Sequence, residues 1–99
     1  MGRVRLSDYE ISAIKETAEE VFGKGTKVFL FGSRVDPTKR GGDIDLYIIP
    51  EKRDNLFDRE LKFKSRLQLK IGERKIDVVI SQDPKRAIEK VALKNGVEL

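Results

Sequence analysis

The sequence contains no cysteine and no histidine, and these two absences restrict its chemistry most. Without cysteine there is neither a disulfide framework nor a thiolate metal site. Without histidine, the usual zinc sites and any Ser-His or Cys-His nucleophile are excluded as well. Chemistry in this chain must therefore depend on carboxylates, hydroxyls, Lys, Arg, Tyr and backbone groups.

Long apolar runs are missing too. No run approaches the roughly 18 residues that a membrane-spanning helix needs. The first ten residues, MGRVRLSDYE, lack the apolar segment of a signal peptide, so we expect a cytoplasmic protein. Ninety-nine residues suffice for one hydrophobic core but not for two, and we predict a single domain over residues 1–99.

The apolar pattern indicates helices and strands in the order α-β-β-α-β-α. Ser7 and Glu10 form a capping box that predicts the start of the first helix. Three short apolar runs, KVFLF, DIDLYII and KIDVVI, are typical of buried strands. We therefore predict an α+β domain in which helices pack on a small, mixed, three-stranded sheet.

The longest helical pattern runs from Asp54 to Ile71, and Gly72 supplies its C-cap. Its apolar residues fall within an arc of about 160° at helical pitch, which predicts one broad buried face. That face consists of Leu56, Phe57, Leu61, Phe63, Leu67 and Ile71.

Two aspartates interrupt the second strand segment. Asp43 and Asp45 are two residues apart, so in a strand their side chains point to the same face, about 6.5–7 Å apart. Asp77 occupies a similar place in KIDVVI, and it would approach that pair if the two strands are neighbours. Carboxylate oxygens are the ligands that Mg²⁺ and Mn²⁺ prefer, which predicts a two-metal site. The alternative is that the pair only caps a turn or faces solvent.

The loop before these aspartates carries groups that suit a phosphate. Gly32 permits close backbone approach, and Ser33 offers a hydroxyl beside a backbone N–H. Arg34 and Arg40 bring positive charge to the same loop. The Walker A and dinucleotide-binding fingerprints are both absent. The loop is a candidate phosphate site because it lies between a buried strand and the acidic strand.

With these residues in place, the segment FLFGSRVDPTKRGGDIDLYI resembles the signature of the DNA polymerase β-like nucleotidyltransferases. That signature is a Gly-Ser pair, a loop of about ten residues and an Asp-x-Asp on the next strand. Nine residues separate Ser33 from Asp43 here. The chain is most similar to the minimal nucleotidyltransferases, which are free-standing domains of about this size, and the likeness extends to KIDVVI and to the C-terminal AIEKVALKNGVEL.

The resemblance implies a role for each motif residue. Gly32 and Ser33 would hold the triphosphate, Asp43 and Asp45 would ligate two Mg²⁺ or Mn²⁺ ions, and Asp77 would ligate the catalytic ion and help to activate an acceptor hydroxyl. It implies ATP as the nucleotide and AMP as the group transferred. It also implies a helical HEPN protein as partner, in a toxin–antitoxin pair where a tyrosine of the toxin is the acceptor.

Net charge is +4, and the excess basic residues lie between Lys52 and Lys75. On the long helix they form a basic stripe beside the apolar arc, made of Arg59, Lys62, Arg66 and Lys70. The stripe is interpreted either as a solvated helix face or as a docking surface for nucleic acid or an acidic partner.

Two alternatives to an enzyme therefore stay open. One is a non-catalytic antitoxin of the same fold that masks its partner, and the other is a basic nucleic-acid-binding domain. Because no aromatic residues interleave with the basic stripe, a single-strand stacking platform is not favoured. Since the chain is short, we expect the acceptor to come from a partner protein or from oligomerisation.

Overall fold

The computed structural model describes residues 7–31, 44–72, 75–82 and 86–99. Within these ranges it contains three helices and four strands in the order α1-β1-β2-α2-β3-α3-β4. The helices are α1 (Asp8–Phe22), α2 (Leu56–Ile71) and α3 (Ala87–Asn95), and the strands are β1 (Lys27–Phe31), β2 (Ile44–Ile49), β3 (Ile76–Ile80) and β4 (Val97–Glu98).

The strands form one mixed sheet in the order β3-β2-β1-β4. β1 is antiparallel to β2 and to β4, whereas β2 and β3 run parallel and are connected through α2. The predicted α+β class is confirmed, but the prediction of three strands was wrong, because the C-terminal Val97–Glu98 pairs with β1 as a fourth strand. This pairing depends on a tight exit from α3 at Gly96, where a Cβ atom would collide with the Ala92 carbonyl oxygen.

The capping box at the start of α1 forms as the sequence predicts. The Ser7 hydroxyl accepts a hydrogen bond from the Glu10 backbone N–H at 3.2 Å, and the Glu10 carboxylate accepts one from the Ser7 backbone N–H at 3.0 Å. These two contacts satisfy backbone donors that a helix start otherwise leaves unpaired. α2 ends before Gly72, as the sequence predicts, and α1 ends before Gly23; both glycines have positive φ.

The main hydrophobic core lies between one face of the sheet and the pair α1–α2. β2 contributes its alternate residues Ile44, Leu46 and Ile48 to this core, as a period of two requires. Between the helices, the rings of Phe22 and Phe63 approach with their centroids 5.8 Å apart. A smaller cluster on the opposite face of the sheet contains Phe31, Tyr47 and Ala92 of α3.

Only part of the apolar arc predicted for α2 is buried. Phe63 and Leu67 are buried and Leu56 and Ile71 pack against the core, but Phe57 is 75% exposed and Leu61 is 49% exposed. The arc is therefore wider than the surface that α1 and the sheet cover. Lys64 also falls within the angular range of this arc, although its side chain is charged. It forms an ion pair with Glu60 at 3.3 Å.

The basic stripe lies largely along the contact between α1 and α2. Arg66 and Lys70 both pair with Glu20 of α1, at 3.6 and 3.4 Å. Arg59 donates to the Val21 carbonyl oxygen and to the Asp54 carboxylate. Three of its four cations thus have intramolecular partners, which gives the nucleic-acid alternative less support than the sequence suggested.

No helix in the part of the chain that the structure describes is both long and apolar enough to cross a membrane.

Two leucines of α2 provide a matched test of this packing. Leu67→Ala should lower the free energy of unfolding by about 2–5 kcal/mol, because it opens a cavity in the core where Leu67 is completely buried. Leu69→Ala, at a side chain that is 87% exposed on the same helix, should change it by less than about 0.5 kcal/mol. Urea unfolding of both variants measures the difference, and equal losses would show that the orientation of α2 is wrong.

Candidate active site

Two of the predicted acidic residues lie directly opposite each other on neighbouring strands. In the parallel pairing of β2 with β3, Asp45 is the register partner of Asp77. Their Cα atoms are therefore separated by about one strand spacing, roughly 4.8 Å, and their side chains share one face of the sheet. The carboxylate of Asp77 is exposed, and that of Asp45 is half-buried.

The same row of the sheet reaches β1. Phe31, the residue that precedes Gly32 in the sequence, is the register partner of Asp45 across the antiparallel β1–β2 pair. The row Phe31, Asp45, Asp77 thus crosses three strands where β1 ends and the segment with the Gly-Ser pair begins.

The other predicted site residues, Gly32, Ser33, Arg34, Arg40 and Asp43, lie outside the described residues. Their roles remain predictions. Within the described ranges, no three acidic side chains come together as a complete metal-binding group. Asp45 and Asp77 supply only oxygen donors from two adjacent strands, and this donor chemistry fits Mg²⁺ or Mn²⁺. Like charges directly opposite each other in a sheet are destabilising, and a cation bound between them would offset this repulsion.

The acidic pair lies on the face of the sheet that α3 partly covers. Along β2, Asp45 shares this face with Tyr47 and Ile49, whereas the intervening residues enter the main core. Tyr47 is nearly fully buried against α3, and its ring lies 6.1 Å from that of Phe29, centroid to centroid. Along β2, the residues that α3 covers therefore begin at Tyr47, two positions after Asp45. The Asp77 carboxylate stays accessible.

A buried carboxylate holds α3 in this position. Glu89 of α3 is completely buried. It accepts hydrogen bonds from the Tyr47 hydroxyl at 2.8 Å and the Gln82 backbone N–H at 3.1 Å, and it pairs with Arg86 at 3.3 Å. Burial and the neighbouring Glu89 raise the pKa of Tyr47 to about 12. Such a carboxylate is tolerated only because several donors surround it.

Beside this network lies a cavity of about 220 Å³ with polar and apolar walls. Arg53 donates to the Ser81 carbonyl oxygen at 2.7 Å and to its hydroxyl at 2.8 Å, which links the end of β3 to the segment before α2. The cavity is lined by Tyr47, Ile49, Arg53, Ser81, Gln82, Glu89 and Leu93.

Sequence reasoning missed this polar network. Glu89 stands in a stretch, AIEKVALKNG, whose charged residues look like the solvated positions of an amphipathic helix. The sequence near Glu89 gives only a weak indication that this residue is buried. Tyr47 in a strand of otherwise apolar residues needs a partner for its hydroxyl when buried, but the sequence does not indicate which residue provides it.

The comparison with known families agrees with this geometry. The family model for polymerase beta nucleotidyltransferases matches residues 5–99, which is nearly the whole chain. The chain therefore belongs to the polymerase beta nucleotidyltransferase family, and its general activity is nucleotidyl transfer. Domains of this family generally use a nucleoside triphosphate and divalent metal ions. Among curated proteins, no significant match to this sequence is found.

The two tyrosines of the chain allow a test of the buried network. Tyr47→Phe removes a donor from the buried Glu89 carboxylate and should cost about 1–3 kcal/mol of unfolding free energy. Tyr9→Phe removes the exposed hydrogen bond from Tyr9 to the Lys70 carbonyl oxygen and should cost less than about 1 kcal/mol. Urea denaturation compares the two variants, and a Tyr47→Phe loss no larger than that of Tyr9→Phe would contradict the network.

The raised pKa of Tyr47 predicts a loss of stability at high pH. Its folded-state pKa of about 12 exceeds the usual value near 10, so its contribution is complete below about pH 10 and is lost as the pH rises towards 12. In a Tyr9→Phe background, where Tyr47 is the remaining tyrosine, phenolate absorbance should appear at a higher pH in the native protein than in urea. Coincident titrations of the native and unfolded chains would contradict this expectation.

Proposed function

We propose that this chain is a minimal nucleotidyltransferase that transfers AMP from ATP to a hydroxyl group of a partner protein. The observation that supports the proposal is the in-register pair Asp45–Asp77, two acidic residues on one face of the sheet, of which Asp77 is exposed. A domain with only a scaffolding role would gain nothing from like charges held opposite each other. Membership of the polymerase beta nucleotidyltransferase family supports the class of reaction.

In this proposal Asp43, Asp45 and Asp77 would hold two Mg²⁺ or Mn²⁺ ions. When bound, the ions would neutralise charge on the phosphates and on the attacking and leaving oxygens. Gly32 and Ser33 would hold the triphosphate through backbone N–H groups and the hydroxyl, and the guanidinium groups of Arg34 and Arg40 would add charge to the loop.

The transfer itself is a displacement at the α-phosphorus of ATP. The acceptor oxygen forms a bond to this phosphorus, the bond to the oxygen that bridges to the β-phosphate breaks, and pyrophosphate leaves. Asp77 accepts the proton of the acceptor hydroxyl, a role that its exposed position favours.

The acceptor we propose is a tyrosine hydroxyl of a helical HEPN-type toxin, which makes this chain an antitoxin. This part of the proposal is supported by the likeness of the sequence to the minimal nucleotidyltransferases. A tyrosine on a partner could reach Asp77 from solvent, because α3 does not cover that end of the sheet.

Asp77→Asn separates catalysis from folding and binding. The variant keeps the side-chain shape and should keep its fold, yet it should lose AMP transfer by at least about a hundredfold, the order expected for a positioned catalytic group. Asp58→Asn, at an exposed carboxylate on α2, is the matched control and should retain transfer. The assay follows label from α-labelled ATP, with Mg²⁺ or Mn²⁺, into a partner protein that co-purifies with this chain.

Full labelling by Asp77→Asn would overturn the role of Asp77. If the wild-type chain labels no acceptor with any nucleoside triphosphate, the transfer proposal itself is wrong. If label enters the partner but survives replacement of each partner tyrosine by phenylalanine, the acceptor is a different hydroxyl.

A further inference from the structure

Strand β3 forms one edge of the sheet within the described residues. Its residues Lys75 and Ser81 make backbone hydrogen bonds with β2, from the Ile44 N–H to the Lys75 carbonyl and from the Ser81 N–H to the Ile48 carbonyl, both at 2.9 Å. The backbone N–H and C=O groups of successive residues in a strand point in alternate directions. Those of the even-numbered residues of β3 therefore point away from β2; these residues are Ile76, Val78 and Ile80. An edge of this kind is a template for another strand.

A groove of about 270 Å³ lies along this edge, and its described lining comprises residues of β3 together with Gln82, Arg86 and one residue of α2. Glu60 is the α2 residue that lines it. On the adjoining surface of α2, Phe57 and Leu61 are one helical turn apart, and both are largely exposed, at 75% and 49%. We call the surface made by Phe57, Glu60, Leu61 and Lys64 the outer flank of α2.

We propose that the β3 edge and the outer flank of α2 bind a second copy of this chain. In the complex, β3 pairs antiparallel with β3 of the partner subunit, and the two outer flanks pack side by side. The result is a continuous sheet across a two-fold axis with α2 of each subunit on the same side. The inference does not depend on the proposed enzymatic function.

The backbone of β3 is symmetric about its central residue. With the two-fold axis at Val78, the outward groups of Ile76 face those of Ile80 of the partner subunit, and each facing pair forms two hydrogen bonds. In this register Asp77 lies opposite Val79 of the partner subunit. A register centred on residue 77 would instead place the two Asp77 carboxylates opposite each other, which is unfavourable.

The charges of the outer flank are self-complementary as well. Glu60 and Lys64 carry opposite charges one turn apart, and their ion pair within one chain spans 3.3 Å. The two-fold axis makes the α2 helices antiparallel, and in the proposed packing Glu60 faces Lys64 of the partner subunit. A parallel arrangement would place like charges together. This complementarity favours a second copy over an unrelated strand as the occupant.

Association at this edge leaves the acidic pair accessible. The side chains of Asp45 and Asp77 share the face of the sheet opposite to α2, whereas the outer flank lies on the α2 side. Phe57 and Leu61 become covered on pairing, which explains why apolar residues occupy that surface.

Sedimentation over a range of protein concentrations tests the proposal. The wild-type chain should change from monomer to dimer as concentration rises. Replacing both Phe57 and Leu61 by Glu should shift this transition to at least about tenfold higher concentration, while Leu69→Glu, at an exposed leucine on another side of α2, should leave it unchanged. A wild-type monomer at all concentrations, or equal effects of both variants, would overturn the proposal and leave the edge to a strand of another protein.

Charge exchange tests the antiparallel arrangement of α2. Glu60→Lys alone and Lys64→Glu alone should each weaken self-association, since each places like charges across the axis. A mixture of the two variants should restore it as a heterodimer, because one subunit then carries two positive charges at these positions and the other two negative ones. Circular dichroism confirms that each variant is folded. Failure of the folded variants to associate better in the mixture than alone would contradict the proposed geometry.

Discussion

The parallel pairing of β2 with β3 is the interaction on which the rest of the structure depends. It fixes Ile44, Leu46 and Ile48 in the main core, and in the same register it sets Asp45 opposite Asp77 on the other face. A shift of one residue along β2 would bury the acidic side chain and expose the apolar ones. The hydrophobic core on one face of the sheet therefore determines the geometry of the acidic site on the other.

Helix α3 covers only part of the sheet face that carries the acidic pair, and this limit keeps Asp77 exposed. Burial removes water from the Glu89 carboxylate, which costs free energy. The hydrogen bonds from Tyr47 and Gln82 and the ion pair with Arg86 offset this cost. A buried ionic group of this kind adds little net stability compared with apolar packing, but it allows few alternative positions. It secures α3 over Tyr47, while Asp77 on the same face of the sheet stays exposed.

Helix α2 has three different surfaces, and each has a different physical role. One packs Phe63 and Leu67 into the core. A second directs cations towards α1, where Glu20 pairs with Arg66 and Lys70. The third is the outer flank, which exposes Phe57 and Leu61 and whose Glu60 lines the groove along the β3 edge. The proposed nucleotidyltransferase site on one face of the sheet and the proposed self-association surface at its edge are therefore compatible with each other.

The sequence by itself determined the features that depend on neighbouring residues. The Ser7–Glu10 capping box, the end of α2 before Gly72 and the alternation along β2 all arise from local hydrogen bonding and side-chain periodicity. Only the tertiary structure decided which strands are neighbours, and so whether Asp77 faces Asp45. It also decided that Val97–Glu98 joins the sheet, that Glu89 is buried and that Phe57 is exposed. These outcomes depend on which distant segments cover each surface. The periodicity of apolar residues shows which side chains share a face, but not which segment packs against that face.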